Sequence, residues 1–401
     1  MQAINTHVAG VDVHKEILVI TVLVGEAHQE PSAHLLRTST FTDDLRRCGE
    51  KLLELGVTDV PMESTGIYWK PVYNVWHRLG LKITLANAHH LKRVPGRKTD
   101  VSDSHWIAIL MRNGLIRSSF IPEEEFQQLR ALNRHRIYLM RDLTRVKNRV
   151  QKVLEDGNIK IGSVLSDVFG VGCLAVLRAI AQGQTAAKAL TNCLTEVHCF
   201  QIERYLGQFD ELEDHVRKLD AEITRRMEKY SQLIERLDEI PGIDIRSAQG
   251  IIAEATAHMD AFQHDRNFAA WAGVAPGNNQ SARKRRKAPA RKGNPTLKGL
   301  LVQAAKSAVR KKDSYYQAKH TRLILQTGSK NKATVAIANR IARVIYHLIK
   351  DPDRRFTDLT KSRVLSTDYQ IKRKIAQLRQ LGVEVRLQSD GVVTVKTQPT
   401  I

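Results

Sequence analysis

His7-Val8-Ala9-Gly10-Val11-Asp12-Val13-His14-Lys15-Glu16-Ile17-Leu18-Val19-Ile20-Thr21-Val22-Leu23-Val24 reads as two β-rich runs on either side of a polar turn at His14 to Glu16. That pattern is a hairpin signal. A third strand near Leu35 to Phe41 extends it into a meander. Asp12 sits inside the first apolar run. An aspartate in a buried strand is costly unless it is paired, protonated or bound to a metal. Asp12 is therefore a candidate site residue.

Working outward, Asp43 to Leu55 has the periodicity of an amphipathic helix, and Val57 to Met62 is a short strand ending at Glu63-Ser64-Thr65-Gly66. Glu63 thus falls at the carboxyl end of a strand, where α/β sheets place ligands. Ile67 to Leu79 reads as a helix and Lys82 to Ala86 as a strand, and a further helix runs from Asp103 through Trp106, Ile107, Leu110 and Met111. A meander followed by alternating helix and strand predicts a mixed sheet flanked by helices. Between the last strand and the last helix lies a basic loop with Lys92, Arg93, Arg97 and Lys98, then Thr99, Asp100 and Asp103. Thr99 suits an N-cap, and acids at i and i+3 share a helix face. They could merely offset the helix dipole. They could also hold a hard divalent cation above a phosphate backbone. Asp12, Glu63 and the Asp100/Asp103 pair come from separate elements that such a sheet could bring to one edge, which favours the metal.

The chain has 401 residues, 63 Lys+Arg against 42 Asp+Glu, and a formal net charge of +21. Such an excess points to a polyanion, either nucleic acid or an anionic membrane face. No apolar run approaches the roughly 18 residues of a spanning helix, and the start lacks the pattern of a secretory leader. A cytoplasmic nucleic-acid partner is expected, and no membrane. Cys48, Cys173, Cys193 and Cys199 form no CxxC pair, so they signal neither zinc nor a disulfide framework.

Glu123 to Glu155 reads as a long helix whose Arg134, Arg141, Arg145 and Arg149 belong either to a solvated face or to a phosphate-tracking surface. Residues 160–200 look like short helices. From Phe209 through Leu237 apolar residues recur at 3–4 spacing, as in a coiled-coil helix that packs or self-associates. Ile240-Pro241-Gly242-Ile243-Asp244 resembles a helix-hairpin-helix turn offering N–H groups to a phosphate. From Arg266 to Lys350 there are 20 Lys/Arg and one acid, Asp313, interleaved with apolar helical segments. That is a folded basic domain with a nucleic-acid surface, centred on Arg283, Lys284, Arg285, Arg286, Lys287, Arg291 and Lys292. Tyr369 to Gln380 looks helical, and Val383 to Leu387 with Val392 to Val395 suggests a terminal hairpin. The resulting divisions are 1–122, 123–158, 159–237, 238–350 and 351–401.

Four motifs in order carry a family resemblance: Gly10-Val11-Asp12-Val13-His14-Lys15, Glu63-Ser64-Thr65-Gly66, Lys98-Thr99-Asp100-Val101-Ser102-Asp103, and Pro276-Gly277-Asn278-Asn279-Gln280-Ser281-Ala282. Over roughly residues 7 to 350 the chain resembles the DEDD transposases of bacterial insertion sequences, the one-ten family of RNA-guided bridge recombinases. The resemblance implies a RuvC-like, RNase H-type α/β fold for the first domain, then a long-helix segment and a mainly α basic transposase domain. It implies that Asp12, Glu63, Asp100 and Asp103 hold Mg²⁺ (or Mn²⁺), and that Ser281 is the nucleophile. The family's serine is commonly followed by Gly; here Ala282 follows. It further implies donor and target DNA, a structured non-coding guide RNA, and a dimer or tetramer with a composite active site. The setting it implies is a bacterial cytoplasm, at the nucleoid.

The chemistry is consistent with that resemblance. Breaking and rejoining DNA without external energy favours a covalent intermediate, and a serine hydroxyl beside a metal gains the activation it otherwise lacks. Two other readings use the same residues. A RuvC-like nuclease or junction resolvase would attack with activated water and form no covalent link. A non-catalytic nucleic-acid scaffold would use the acids structurally.

Overall fold

The hairpin expected at the start is formed by β1 (His7–Val13) and β2 (Ile17–Val24). They pair antiparallel with Asp12 opposite Val19, and the His14 N–H closes the turn on the Ile17 carbonyl at 3.0 Å. The computed structural model describes residues 3–63, 66–86, 103–116, 118–164, 167–182, 194–277, 280–281, 284–285, 290, 292–357, 383–387 and 393–397. These fall into two compact units, Met1–Pro122 and Glu123–Ile401.

In the first unit β3 (Ser32–Ser39) continues the meander. It starts and ends earlier than the sequence suggests, because its register sets Ser32 opposite Val24 and Ser39 opposite Ile17. There follow α1 (Thr42–Glu54), β4 (Asp59–Glu63), α2 (Trp69–Arg78), β5 (Lys82–Ala86) and α3 (Asp103–Arg112). The sheet order is β3-β2-β1-β4-β5, with β4 parallel to β1 and β5 parallel to β4. The sheet is mixed because tight turns can join antiparallel neighbours, whereas parallel ones need a crossover such as a helix. Alternation along β1 sorts its side chains. Val11, with Met62 beside it on β4, belongs to the core that also holds Leu45, Leu52, Val72 and Trp76 from α1 and α2. Val8 faces the other way and packs with Ala108 and Met111 of α3. Gly10 lies on that same face, and it is glycine for a reason. A Cβ there would come 2.2 Å from the Ser104 carbonyl oxygen and 2.4 Å from the Ala108 nitrogen. The helix therefore rests directly on the strand.

The second unit is built on a helix pair. α4 (Glu124–Asp156) is followed by α5 (Ile161–Val164), α6 (Val171–Ala181) and α7 (Glu196–Arg226). α4 and α7 run antiparallel: His198 meets Asp156 at 3.0 Å, Arg136 meets Asp220 at 2.9 Å, and Arg226 meets Gln128 at 3.0 Å. The expected continuous helix from Phe209 through Leu237 is corrected at both ends. It begins at Glu196, where the Thr195 hydroxyl accepts the His198 N–H and the His198 ring accepts the Thr195 N–H. That capping box uses His where Glu or Gln is the usual signal. It ends at Arg226, before a 3₁₀ turn at Glu228–Tyr230 and α8 (Ser231–Asp238). Its apolar stripe, Ile202, Leu206, Phe209 and Val216, is buried in a core that includes Leu139, Val146 and Val150 of α4. The coiled-coil spacing is thus satisfied within the chain and gives no argument for self-association.

Next come α9 (Ile245–Ala255), α10 (Asp265–Trp271), the two-residue strands β6 (Gln280–Ser281) and β7 (Lys284–Arg285), α11 (Pro295–Ala308), α12 (Tyr315–Thr327) and α13 (Lys330–Lys350). α13 buries Ile337, Ile341, Ile345 and Tyr346. The Pro241-Gly242 turn joins α8 to α9 and also packs against α11. Gly242 has φ +88°, and a Cβ on it would lie 2.3 Å from the Ala304 carbonyl oxygen of α11. The Asp244 carboxylate already accepts the Ser247 N–H at the start of α9. The turn thus lets α8, α9 and α11 pack closely. β8 (Val383–Leu387) and β9 (Val393–Thr397) form the terminal hairpin; the helix expected at Tyr369 to Gln380 lies outside the described residues.

Candidate metal centre and serine hairpin

Asp12 and Glu63 are each one residue beyond the paired Val11 and Met62 of parallel strands, so both sit at the carboxyl end of the sheet. Asp12 shares the face of Gly10 and Val8, and Glu63 the face opposite the buried Met62. That is the face covered by α3. Because Gly10 lets α3 lie against β1, Asp103 at the first turn of α3 comes beside Asp12. A buried hydrogen bond of 2.8 Å between the Thr21 and Ser104 hydroxyls holds this end of the helix to β2. The consequence appears in the Asp12 carboxyl, whose pKa is raised. Burial is the largest cause; Asp103 and Glu63 push the same way, and His14 pulls against them. The His14 Nε2 lies 3.1 Å from the Asp12 Oδ2. Asp12 is not sealed in a strand interior as the sequence suggests: its side chain is 27% exposed at the strand's end.

Asp103 and Glu63, both within electrostatic reach of Asp12, form with it a hard-oxygen donor set suited to Mg²⁺ or Mn²⁺. Among the described residues no three His, Cys, Asp or Glu already close on a common point. Asp100, the fourth acid, lies outside the described residues, as do Thr99, Lys92, Arg93, Arg97 and Lys98. The oxygen donors are of the type a divalent cation takes. His14 was not singled out from the sequence as a site residue. Its signal was there: two residues after Asp12 in an extended run, it shares that residue's side.

In the second unit Ser281 ends β6, paired with Lys284 of β7, and a further bridge joins Pro276 to Ala290. The hairpin's exit is tightly fixed. A Cβ on Gly293 would meet the Trp271 carbonyl oxygen at 2.3 Å and the Gly273 nitrogen at 2.4 Å. The Asn294 N–H donates to the Trp271 carbonyl at 3.0 Å. The Asn294 side chain accepts two N–H groups of α11 and donates to Glu254 at 2.6 Å. Glu254 is fully buried and accepts both Nε and Nη2 of Arg134, at 2.7 and 2.8 Å. Arg130 stands 3.6 Å away, and burial pushes its guanidinium pKa down to about 10. Glu254 went unnoticed in the sequence because one acid in a helix carries no local mark.

Arg134, read from the sequence as belonging to a solvated or a phosphate-tracking face, pairs with Glu254 and keeps a side chain 39% exposed. Arg141 lies 5.8 Å over the Tyr138 ring and Arg149 5.9 Å over Tyr205, both exposed. Arg145 is 68% exposed and pairs with Asp142. Lys284 and Arg285 form β7, Lys292 is exposed, and Arg283, Arg286, Lys287 and Arg291 lie outside the described residues.

Comparison with known proteins gives this arrangement its class. Residues 9–159, which contain all four acids, match the DEDD family model described as "Transposase", and residues 234–321, which contain Ser281, match "Transposase IS116/IS110/IS902 family". Together the two stretches cover more than half of the chain. The chain is 27% identical over 304 residues to a family 20 transposase of Pseudomonas aeruginosa, which spans 72% of this chain and 83% of that one. It is 29% identical over 146 residues to the y4pF/y4sB transposase of Sinorhizobium fredii, spanning 35% of this chain and 37% of that one. The protein is a DNA transposase. It belongs to the IS110 family of insertion-sequence transposases. Among the described residues no helix is long and apolar enough to cross a membrane.

Proposed function

We propose that this transposase cuts and rejoins DNA through a covalent link to Ser281, on a RuvC-like sheet whose Asp12, Glu63, Asp100 and Asp103 hold Mg²⁺ or Mn²⁺. The observation that supports the reading is that Asp12 and Glu63 lie at the carboxyl end of parallel strands and Asp103 on the first turn of α3, with Glu63 and Asp103 within electrostatic reach of Asp12. A bound divalent cation supplies neutralisation of phosphate charge and a lower hydroxyl pKa. His14, 3.1 Å from Asp12, orients that carboxylate. The Ser281 Oγ forms a bond to phosphorus as the bond from phosphorus to the deoxyribose oxygen breaks. The serine proton passes through solvent to the departing oxygen. The phosphoserine keeps the energy of the cleaved linkage, so rejoining needs no outside source.

Trapping tests this directly. Wild-type protein should leave a DNA adduct that survives denaturation, and Ser281→Ala should abolish it. Cleavage by wild type without any adduct would favour the RuvC-like nuclease with activated water. Cleavage that persists unchanged in Asp12→Asn and without Mg²⁺ would favour the scaffold reading. We further propose that a structured non-coding RNA selects donor and target, and that the enzyme works at the nucleoid as a dimer or tetramer with a composite site. Sequencing the nucleic acid that copurifies from the native host tests the RNA; random fragments would count against it. Mixing Ser281→Ala with Asp12→Asn chains should restore cleavage if the site is composite.

A further inference from the structure

Arg236, in α8, is buried and has no carboxylate partner among the described residues. Its Nη1 points instead at the carbonyl oxygens of Leu348, Asp351, Pro352 and Arg354, at 3.0, 2.9, 2.7 and 3.3 Å. Those carbonyls belong to the last turn of α13 and to the chain just past it. A buried guanidinium is costly unless its N–H groups find acceptors, and here Nη1 finds them in the carbonyls of the exit. The exit is therefore tied to α8.

What it holds are Arg354 and Arg355, exposed and set across a cleft from Arg340, Arg343 and His347 of α13. The latter three recur at i, i+3 and i+7 and so share a helix face. The cleft measures about 280 Å³, and a second of about 730 Å³ adjoins it, shares Asp265, Arg343, His347 and Arg354, and adds Asp351 and Lys350. One acid lines the first cleft. Asp265 accepts the Arg343 Nε at 2.5 Å and lies 3.5 Å from the His347 Nε2. At the edge Arg355 reaches Glu239 at 3.3 Å. Arg340 and Arg354 have no carboxylate partner among the described residues. Planar guanidinium groups on two walls, one of them oriented by Asp265, match the paired oxygens of a phosphate. Two adjoining clefts with shared walls form a trough that offers more room than a single anion fills. Neither family match extends to residues 340–357.

We infer that this trough is a second DNA contact, in which Arg340 and Arg354 clamp successive phosphates of the duplex backbone away from Ser281 in sequence. The test measures binding by full-length protein to a fluorescein-labelled DNA duplex across a salt series, without Mg²⁺, so no cleavage is read. The slope of log K against log salt changes by about 0.9 for each neutralised phosphate. Arg340→Gln with Arg354→Gln should lower the slope by about one to two. A charge-matched control, Arg37→Gln with Lys51→Gln, should leave it unchanged. Arg354 is exposed and Arg340 half-buried, and circular dichroism checks that the fold is kept. An unchanged DNA slope in the folded double variant overturns the proposal. So does a slope that falls only with a matching RNA, which would reassign the trough to RNA. The outcome is independent of whether Ser281 is the nucleophile.

Discussion

Replacing Gly10 by alanine puts a methyl group where α3 already lies. The new Cβ would stand 2.2 Å from the Ser104 carbonyl oxygen and 2.4 Å from the Ala108 nitrogen. Both are backbone atoms, so no side chain can swing aside. Comfortable contact needs about 3.5 Å, and α3 must withdraw from the sheet by roughly 1 Å or tilt. Overpacking of this kind costs about 1–3 kcal/mol, and unyielding backbone puts Gly10→Ala at the upper end. The retreat also stretches the buried Thr21–Ser104 hydrogen bond of 2.8 Å, adding about 1 kcal/mol. The expected loss is about 3–4 kcal/mol. Asp103 travels with the helix. A misplacement of about 1 Å in a catalytic constellation is enough for roughly a hundredfold loss of rate. Urea denaturation followed by fluorescence, with Trp76 buried under α1, measures the first effect. Strand cleavage of the element's own DNA ends measures the second. A Gly10→Ala protein with the wild-type midpoint and wild-type cleavage rate would refute the argument that this contact sets Asp103 beside Asp12.

Glu254→Gln leaves Arg130 and Arg134 in the protein without their counter-charge, and removal of one partner from a buried pair costs about 3–5 kcal/mol. Thermal unfolding of the variant should show it, and near-native stability would mean the network relaxes at little cost. Cys48 is buried, and that burial pushes its thiol up to about 11 from 9.0. Its thiolate fraction at neutral pH falls about a hundredfold, so native protein should resist iodoacetamide at Cys48 while unfolded protein does not. Rapid native labelling there would contradict the burial. For Asp265, burial raises the carboxyl, but the Arg343 hydrogen bond and the charges of Arg343 and His347 prevail and hold it below 3.8. A carboxyl depressed on folding contributes stability that is present above its unfolded pKa and lost as pH falls through the folded one. Stability should therefore drop below pH 3.8 in wild type, and Asp265→Asn should drop less steeply over the same range. Parallel acid limbs would remove Asp265 from the account.

The local order of this chain was legible before any coordinate. Polar residues between β-rich runs give the first hairpin, and alternating periods of two and 3.6 give the helices and strands that follow, because each depends only on neighbours a few residues apart. Composition marked the region after Arg266 as basic and folded, and residue types marked Asp12, Glu63 and Asp103 as acids worth attention. Tertiary structure decided what those residues meet. Gly10 matters only once α3 lies across it, some 95 residues later in the chain by its contact with Ser104. Arg134 and Arg354 look alike in sequence; packing ties one to buried Glu254 and leaves the other facing a cleft. The apolar stripe of α7 could have served a second chain until α4 was seen to cover it. The physical reason is common to all three. Charge and hydrophobicity belong to a residue, whereas burial and partnership depend on segments far apart in sequence being brought together by packing.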